Sequence, residues 1–259
     1  MKRFRNHRFT LACLLWSGLA LQTWSQEKPP APAEEKKPKW ETSAAAGLTL
    51  TRGNSETLLG TVNIATAKKW PKNELSFGAD ATYGETKLPG AGASTKNAEA
   101  THGFGQYNRL LTDRFFGYAR LDALHDAVAD VEYRFTLGPG AGYYFIKSDT
   151  TTLSTEVGPG MVFEKLRSVE HNYLTLRVSE RLQRKISDRA RIWQSAEILP
   201  QVDNLDNYLI NGELGIEADL TKDKKFVLRS YIQDTFDNEP APSRKKNDLK
   251  WVTAIAYKF

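Results

Sequence analysis

The residues able to do acid–base, nucleophilic or metal chemistry are few and scattered. His102, His125 and His171 are far apart in the chain, and none is framed by a nucleophile, a metal-ligand spacing or a phosphate-cradling glycine loop. The one cysteine, Cys13, lies near the N-terminus, so a disulfide framework or thiolate metal site is not expected. No catalytic residue, metal site or cofactor is therefore expected, and the reading is of a protein that is not an enzyme. The remaining chemistry is charge. Glu132 and Arg134, Glu156, Arg177 and Arg181, Arg191 and Glu197, Glu213 and Glu217, and Arg229 recur at intervals that alternate with apolar residues.

That alternation defines the elements that must carry the charges. Tyr208, Ile210, Gly212, Leu214, Ile216, Ala218 and Leu220 fall on one face of a period-two segment, and Asn211, Glu213, Glu217 and Asp219 on the other. Leu174, Leu176, Val178 and Leu182 oppose Thr175, Arg177, Ser179 and Arg181 in the same way. Similar segments run from Trp40 to Phe259 and divide into about 12 strands, an even number as in single-chain bacterial barrels. Tight turns are expected at Trp70–Asn73, Thr112-Asp113, Lys147–Asp149, Ile186–Asp188 and Thr221–Lys224. Longer loops are expected at Lys87–Asn97, Glu164–Asn172 and Asp237–Asp248. Short turns at one end and longer loops at the other put the short end, and both termini, in the periplasm.

Which face looks inward separates a soluble from a membrane barrel. Burying this many ionised groups in a dry core would cost several kcal/mol each unless every one were paired. A wet lumen removes that cost, and the apolar face then meets lipid, where only a closed sheet satisfies every backbone group. The expected fold is an all-β transmembrane antiparallel barrel over residues 41–259, with the ten charged residues above lining the lumen. Phe115, Tyr143, Phe145, Phe163, Tyr173, Tyr208 and Phe226 stand near strand ends, where interfacial aromatic girdles belong.

The ends of the chain fit export. Lys2, Arg3, Arg5 and Arg8 precede an apolar stretch from Phe9 to Leu21, the layout of a signal peptide over residues 1–25 that is cleaved after Ser25. Leu11-Ala12-Cys13 resembles the end of a lipobox, but would leave almost no apolar region before the cysteine. Cleavage takes the formal net charge from +5 to +1, so the basic isoelectric point carries no implication of a nucleic-acid partner. Residues 26–40, rich in Pro, Glu, Lys and Ala, read as a disordered periplasmic tail. At the other end Trp251, Thr253, Ile255, Tyr257 and Phe259 share one face. Trp251, Ile255, Tyr257 and Phe259 are similar to the C-terminal signature by which the barrel assembly machinery recognises its substrates.

Three glycine-based stretches complete the reading. Gly47-Leu48-Thr49-Leu50-Thr51-Arg52-Gly53-Asn54-Ser55, Arg134 followed by Gly138-Pro139-Gly140-Ala141-Gly142-Tyr143, and Glu156-Val157-Gly158-Pro159-Gly160 resemble the pattern of the salt-induced outer membrane protein family. The resemblance implies an outer-membrane barrel and no established chemistry. Physically, Gly53-Asn54 suits a hairpin turn. Pro139 and Pro159 lack a ladder donor, so a bulge or kink is expected where they oppose one another. The glycines around them would clear lumen space, either for a bulky side chain or for a passage. Two functions stay open: a structural or envelope-stress barrel with a narrow or plugged lumen, and a porin-like channel for small solutes or ions.

Overall fold

The computed structural model describes residues 38–51, 56–87 and 92–259. The signal peptide, most of the tail and the Gly53-Asn54 turn lie outside the described residues. The described residues contain no helix and form twelve strands. These are β1 (Trp40–Thr51), β2 (Glu56–Lys69), β3 (Asn73–Lys87), β4 (Thr95–Leu110), β5 (Phe115–Asp126) and β6 (Val131–Lys147). They continue with β7 (Thr151–Leu166), β8 (Val169–Ser187), β9 (Ala190–Pro200), β10 (Tyr208–Asp219), β11 (Phe226–Asp237) and β12 (Asn247–Lys258). Every strand pairs antiparallel with its chain neighbours, and β1 pairs with β12, so the sheet closes into a barrel. The closing seam is short, running only from Ser43 opposite Lys258 to Ala46 opposite Ile255.

Closure gives the period-two pattern one meaning all the way round. Leu48, Val62, Ile64, Leu121, Leu137, Leu174, Leu214 and Trp251 are all exposed on the outer surface. Arg134, Glu164, Thr175, Arg177 and Glu217 are buried on the inner one. The side-chain period is the physical reason: a residue directly opposite an inward partner must itself point inward.

At one end the connections are tight and self-capped. Thr112 Oγ1 accepts from the Phe115 amide at 2.9 Å, and Ser148 Oγ accepts from the Thr151 amide at 3.0 Å. At the other end the expected long loop at Glu164–Asn172 is absent. β7 and β8 instead extend to a two-residue turn at Arg167-Ser168, with φ of 43° and 71°. Both values are left-handed, as a hairpin turn matched to strand twist requires. The sequence lacks the glycine that usually marks such a turn, and the polar residues around it read as loop.

The two prolines do meet. β6 and β7 pair Leu137 with Met161 and Ala141 with Val157, which places Pro139 opposite Pro159 with the ladder interrupted between. The register is the same on both sides, so the expected bulge is not there; the strands lose pairing without gaining a residue. On the lumen side the glycines are covered rather than open. A Cβ on Gly142 would run into the Phe116 ring, and one on Gly140 into the Tyr118 ring and the Val157 carbonyl. Tyr173, expected in an aromatic girdle, is buried on the inner face opposite Val162.

A left-handed backbone costs a residue with a Cβ on the order of 1 kcal/mol. Replacing Ser168 by Gly should therefore raise stability by about 1 kcal/mol in urea unfolding of the refolded barrel. The Ser168 amide bond to Glu132 Oε1 at 2.9 Å survives that change, so a loss of stability would mean that the serine hydroxyl outweighs the backbone relief.

Candidate functional site: the charged lumen

Of the ten residues expected to line the lumen, the structure places nine inside. Arg177 is the hub of one cluster: its Nη1 donates to Glu156 Oε2 at 2.7 Å and its Nε to Glu197 Oε2 at 2.5 Å. Gln106 Nε2 donates to the other oxygen of Glu156 at 2.7 Å. The Arg177 guanidinium also lies 5.3 Å from the centroid of the Tyr118 ring. Glu217 centres a second cluster. Its carboxylate is 2.7 Å from Arg191, 3.0 Å from Arg229 and 2.8 Å from Lys258, while only 3% of its side chain is exposed. Among the described residues Glu213 makes no ion pair; it accepts from Trp193 Nε1 at 2.5 Å and Gln233 Nε2 at 2.8 Å. Arg134 pairs outside the expected set, with Glu164 at 2.5 Å and Asp237 at 2.9 Å. Arg181 points inward between Ser154 and Ser195.

Glu132 does not join them. A register shift between Val131 and Tyr133 breaks the two-residue phase at the start of β6. Val131 therefore turns inward and Glu132 is exposed outside the lumen, 2.7 Å from Lys165. A bulge adds a residue to one strand, which strict alternation cannot register.

Several inward residues were not singled out by the sequence pattern, although they share its phase. Phe116 and Tyr144 pack with ring centroids 4.9 Å apart, and Tyr144 Oη donates to Glu74 Oε2 at 2.6 Å. His102 stands between Asp80 and Asp122, at 3.1 and 3.5 Å, and Arg120 grips Asp122 with two nitrogens at 2.7 and 2.6 Å. Among the described residues, no group of three or more His, Cys, Asp or Glu is arranged to hold a metal ion.

These clusters divide the lumen along its axis. A cavity of about 310 Å³ occupies the half nearer the long loops, with Arg134, Arg181, Ser195, Glu213 and Arg244 in its wall. Toward the short turns, Phe116, Tyr118, Trp193, Tyr231 and the Glu217 cluster lie beyond its lining. The 238–246 connection between β11 and β12 crosses the mouth. Its Ala241 is buried against Val131 and Leu166, and its Arg244 reaches Asp130 between β5 and β6 at 2.7 Å. In the strand order of the closed sheet those two connections lie on opposite sides of the barrel. Asp130 also receives Arg167 at 2.9 Å. The hydrogen bonds from Arg244, and next from Arg167, hold its carboxyl down at about 2, against an ordinary 3.8.

A family model described as "Protein of unknown function, DUF481" matches residues 44–259. The chain belongs to the DUF481 family. No curated protein matches the chain in sequence. Among solved structures, the NanC porin superposes with a TM-score of 0.51 at 5% identity, covering 85% of this chain and 100% of that one. The KdgM porin gives 0.45 at 7% identity, covering 85% and 99%. The translocator domain of the autotransporter NalP from Neisseria meningitidis gives 0.44 at 13% identity, covering 85% and 87%. The NanC likeness is one of fold: this DUF481 member is a closed twelve-stranded antiparallel barrel of the outer-membrane type.

Two outcomes follow for this DUF481 barrel. Removing one member of a buried ion pair leaves uncompensated charge and costs about 3 kcal/mol or more. Glu217→Ala should therefore lower stability in urea unfolding by about that amount, far more than Glu132→Ala at the exposed pair with Lys165. The Asp130 contacts should act on pH. Because the folded carboxyl titrates below its unfolded value, its contribution is complete above about pH 4 and fades as pH falls toward 2. An Asp130→Asn variant should lose that part of the acid dependence, as read by unfolding midpoints at pH 2 to 5.

Proposed function

We propose that the protein is a non-enzymatic outer-membrane barrel with a structural or envelope-stress role, its lumen closed toward the short turns by side chains. The observation that carries this reading is the Glu217 cluster, in which one buried carboxylate meets three cations drawn from β9, β11 and β12. Phe116 and Tyr118, packed over the glycines of β6, add bulk on the β5–β6 side of the lumen. An outer-membrane location is supported by the apolar outer surface and by the barrel fold. Residues 1–25 would direct export and be cleaved, residues 26–40 would form a periplasmic tail, and both chain termini would face the periplasm with the short turns. Trp251, Ile255 and Tyr257, on the lipid-facing side of β12, and Phe259 just past its end would be read by the barrel assembly machinery. The salt-induced label remains a resemblance of motif.

The porin-like alternative has its own support in the cavity at the long-loop end, which is large enough for a small solute. Planar-bilayer recording of the refolded protein separates the two, after heat-modifiable gel migration has verified the barrel. The closed reading expects no discrete steps from the wild type, and steps on combining Glu217→Ala with Phe116→Ala. Ion-selective steps from the wild type would establish the channel instead.

A further inference from the structure

We infer that the cavity at the long-loop end is a binding site for a small solute bearing an oxyanion, a carboxylate or a phosphate, with Arg181 as its principal contact. The inference goes beyond the proposed role and holds whether or not the lumen conducts.

Most guanidinium donors of the cavity wall already have acidic partners. The four other arginines of the cavity wall are engaged by carboxylates: Arg120 by Asp122, Arg134 by Glu164 and Asp237, Arg177 by Glu156 and Glu197, and Arg244 by Asp130. Arg181 makes no hydrogen bond or ion pair among the described residues, and its side chain is exposed to the lumen. Local register explains why no acid reaches it. Its lateral neighbours are Ser154 on β7 and Ser195 on β9. The carboxylates two residues further along those strands, Glu156 and Glu197, are both held by Arg177. Glu213, opposite Ser195 on β10, is occupied by Trp193 and Gln233.

What remains is a row of donors. Ser154, Arg181 and Ser195 lie side by side on three adjacent strands, about 5 Å from one to the next, and all three line the cavity. Neither serine hydroxyl has a side-chain or backbone partner among the described residues. A guanidinium flanked by two hydroxyls offers a planar fork and two further O–H donors, the complement of a carboxylate or phosphate oxygen set. The cavity volume of about 310 Å³ limits the solute to a small one. The carboxylates elsewhere in the wall disfavour a solute charged along its whole length and favour one with a single anionic head.

Equilibrium dialysis of the full chain, refolded in neutral detergent at low ionic strength, tests this with three radiolabelled probes: inorganic phosphate, succinate and glucose. Saturable binding of phosphate or succinate at one site per barrel is expected, and the preferred probe identifies the head group. Arg181→Gln should weaken that binding at least tenfold, Arg181→Lys less so, and Lys222→Ala in a short turn not at all. Heat-modifiable migration verifies that each variant folds; should Arg181→Gln fail to fold, the Ser154→Ala, Ser195→Ala double variant takes its place, with a several-fold loss expected. No saturable binding of either anion, binding unchanged in the folded variants, or glucose bound as tightly as the anions would overturn the inference. Bilayer conductance is scored separately, so failure of the closed-lumen reading leaves this result unaffected.

Discussion

In hydrocarbon every backbone amide and carbonyl must find a partner within the protein, and that requirement organises this molecule. A sheet can meet it only by closing on itself, which β1 and β12 accomplish. Closure fixes an inside and an outside, and the two-residue period then sorts each strand's side chains between them. The ion pairs of the lumen follow from this: Arg177 meets Glu156 and Glu197 because register puts all three on neighbouring inward positions. Even the paired prolines respect it. Pro139 and Pro159 leave each other without donors at the same level of the same hairpin, so the gap in the ladder is confined to one place.

Charge distribution inside the barrel is uneven along its axis, and the unevenness has a local origin. Toward the short turns, large rings lie over glycines and Glu217 gathers three cations, so the glycine gaps are covered and the buried carboxylate is more than matched. Toward the long loops the wall is polar and less filled. There the 238–246 connection leans across the mouth, held by a small apolar contact at Ala241 and by an arginine on the half-buried Asp130. Both halves carry buried carboxylates: Glu164 near the mouth and Glu217 near the short turns are each almost fully covered, so removing either would strand its cations.

Much of the fold was legible because the period of a strand is two and its signal repeats. The strand positions, the tight turns and the inward phase of Arg134, Glu156, Arg177, Arg181, Arg191, Glu197, Glu213, Glu217 and Arg229 could all be read from alternation. Glu132 could not, because a one-residue register shift leaves no mark in composition. The Arg167-Ser168 turn was hidden by the absence of glycine or asparagine, and its polar flanks imitate a loop. Tyr173 was misread because its ring suits a membrane interface as well as a buried wall. Pairing lay further out of reach. That Arg177 takes two acids while Arg181 takes none depends on offsets between strands, which only the closed register supplies. His102, Asp80 and Asp122 shared the inward phase, but their meeting joins three strands at positions whose spacing along the chain carries no motif.

The closing seam has a consequence for how the barrel holds together. Elsewhere, neighbouring strands are joined along most of their length, whereas β1 and β12 are paired only from Ser43 to Ala46. Small residues line the β1 side, and the backbones come so close that a Cβ on Gly47 would press on the Thr253 carbonyl. The wall is thus a broad ribbon fastened by a short clasp, and the two strands that form the clasp are the first and last of the barrel. Force or heat applied to the ring would find its fewest backbone bonds to break at that line, which also joins the segments most distant in sequence. The durability of the whole cylinder in the bilayer is set at its narrowest fastening, however well the remaining eleven joints are made.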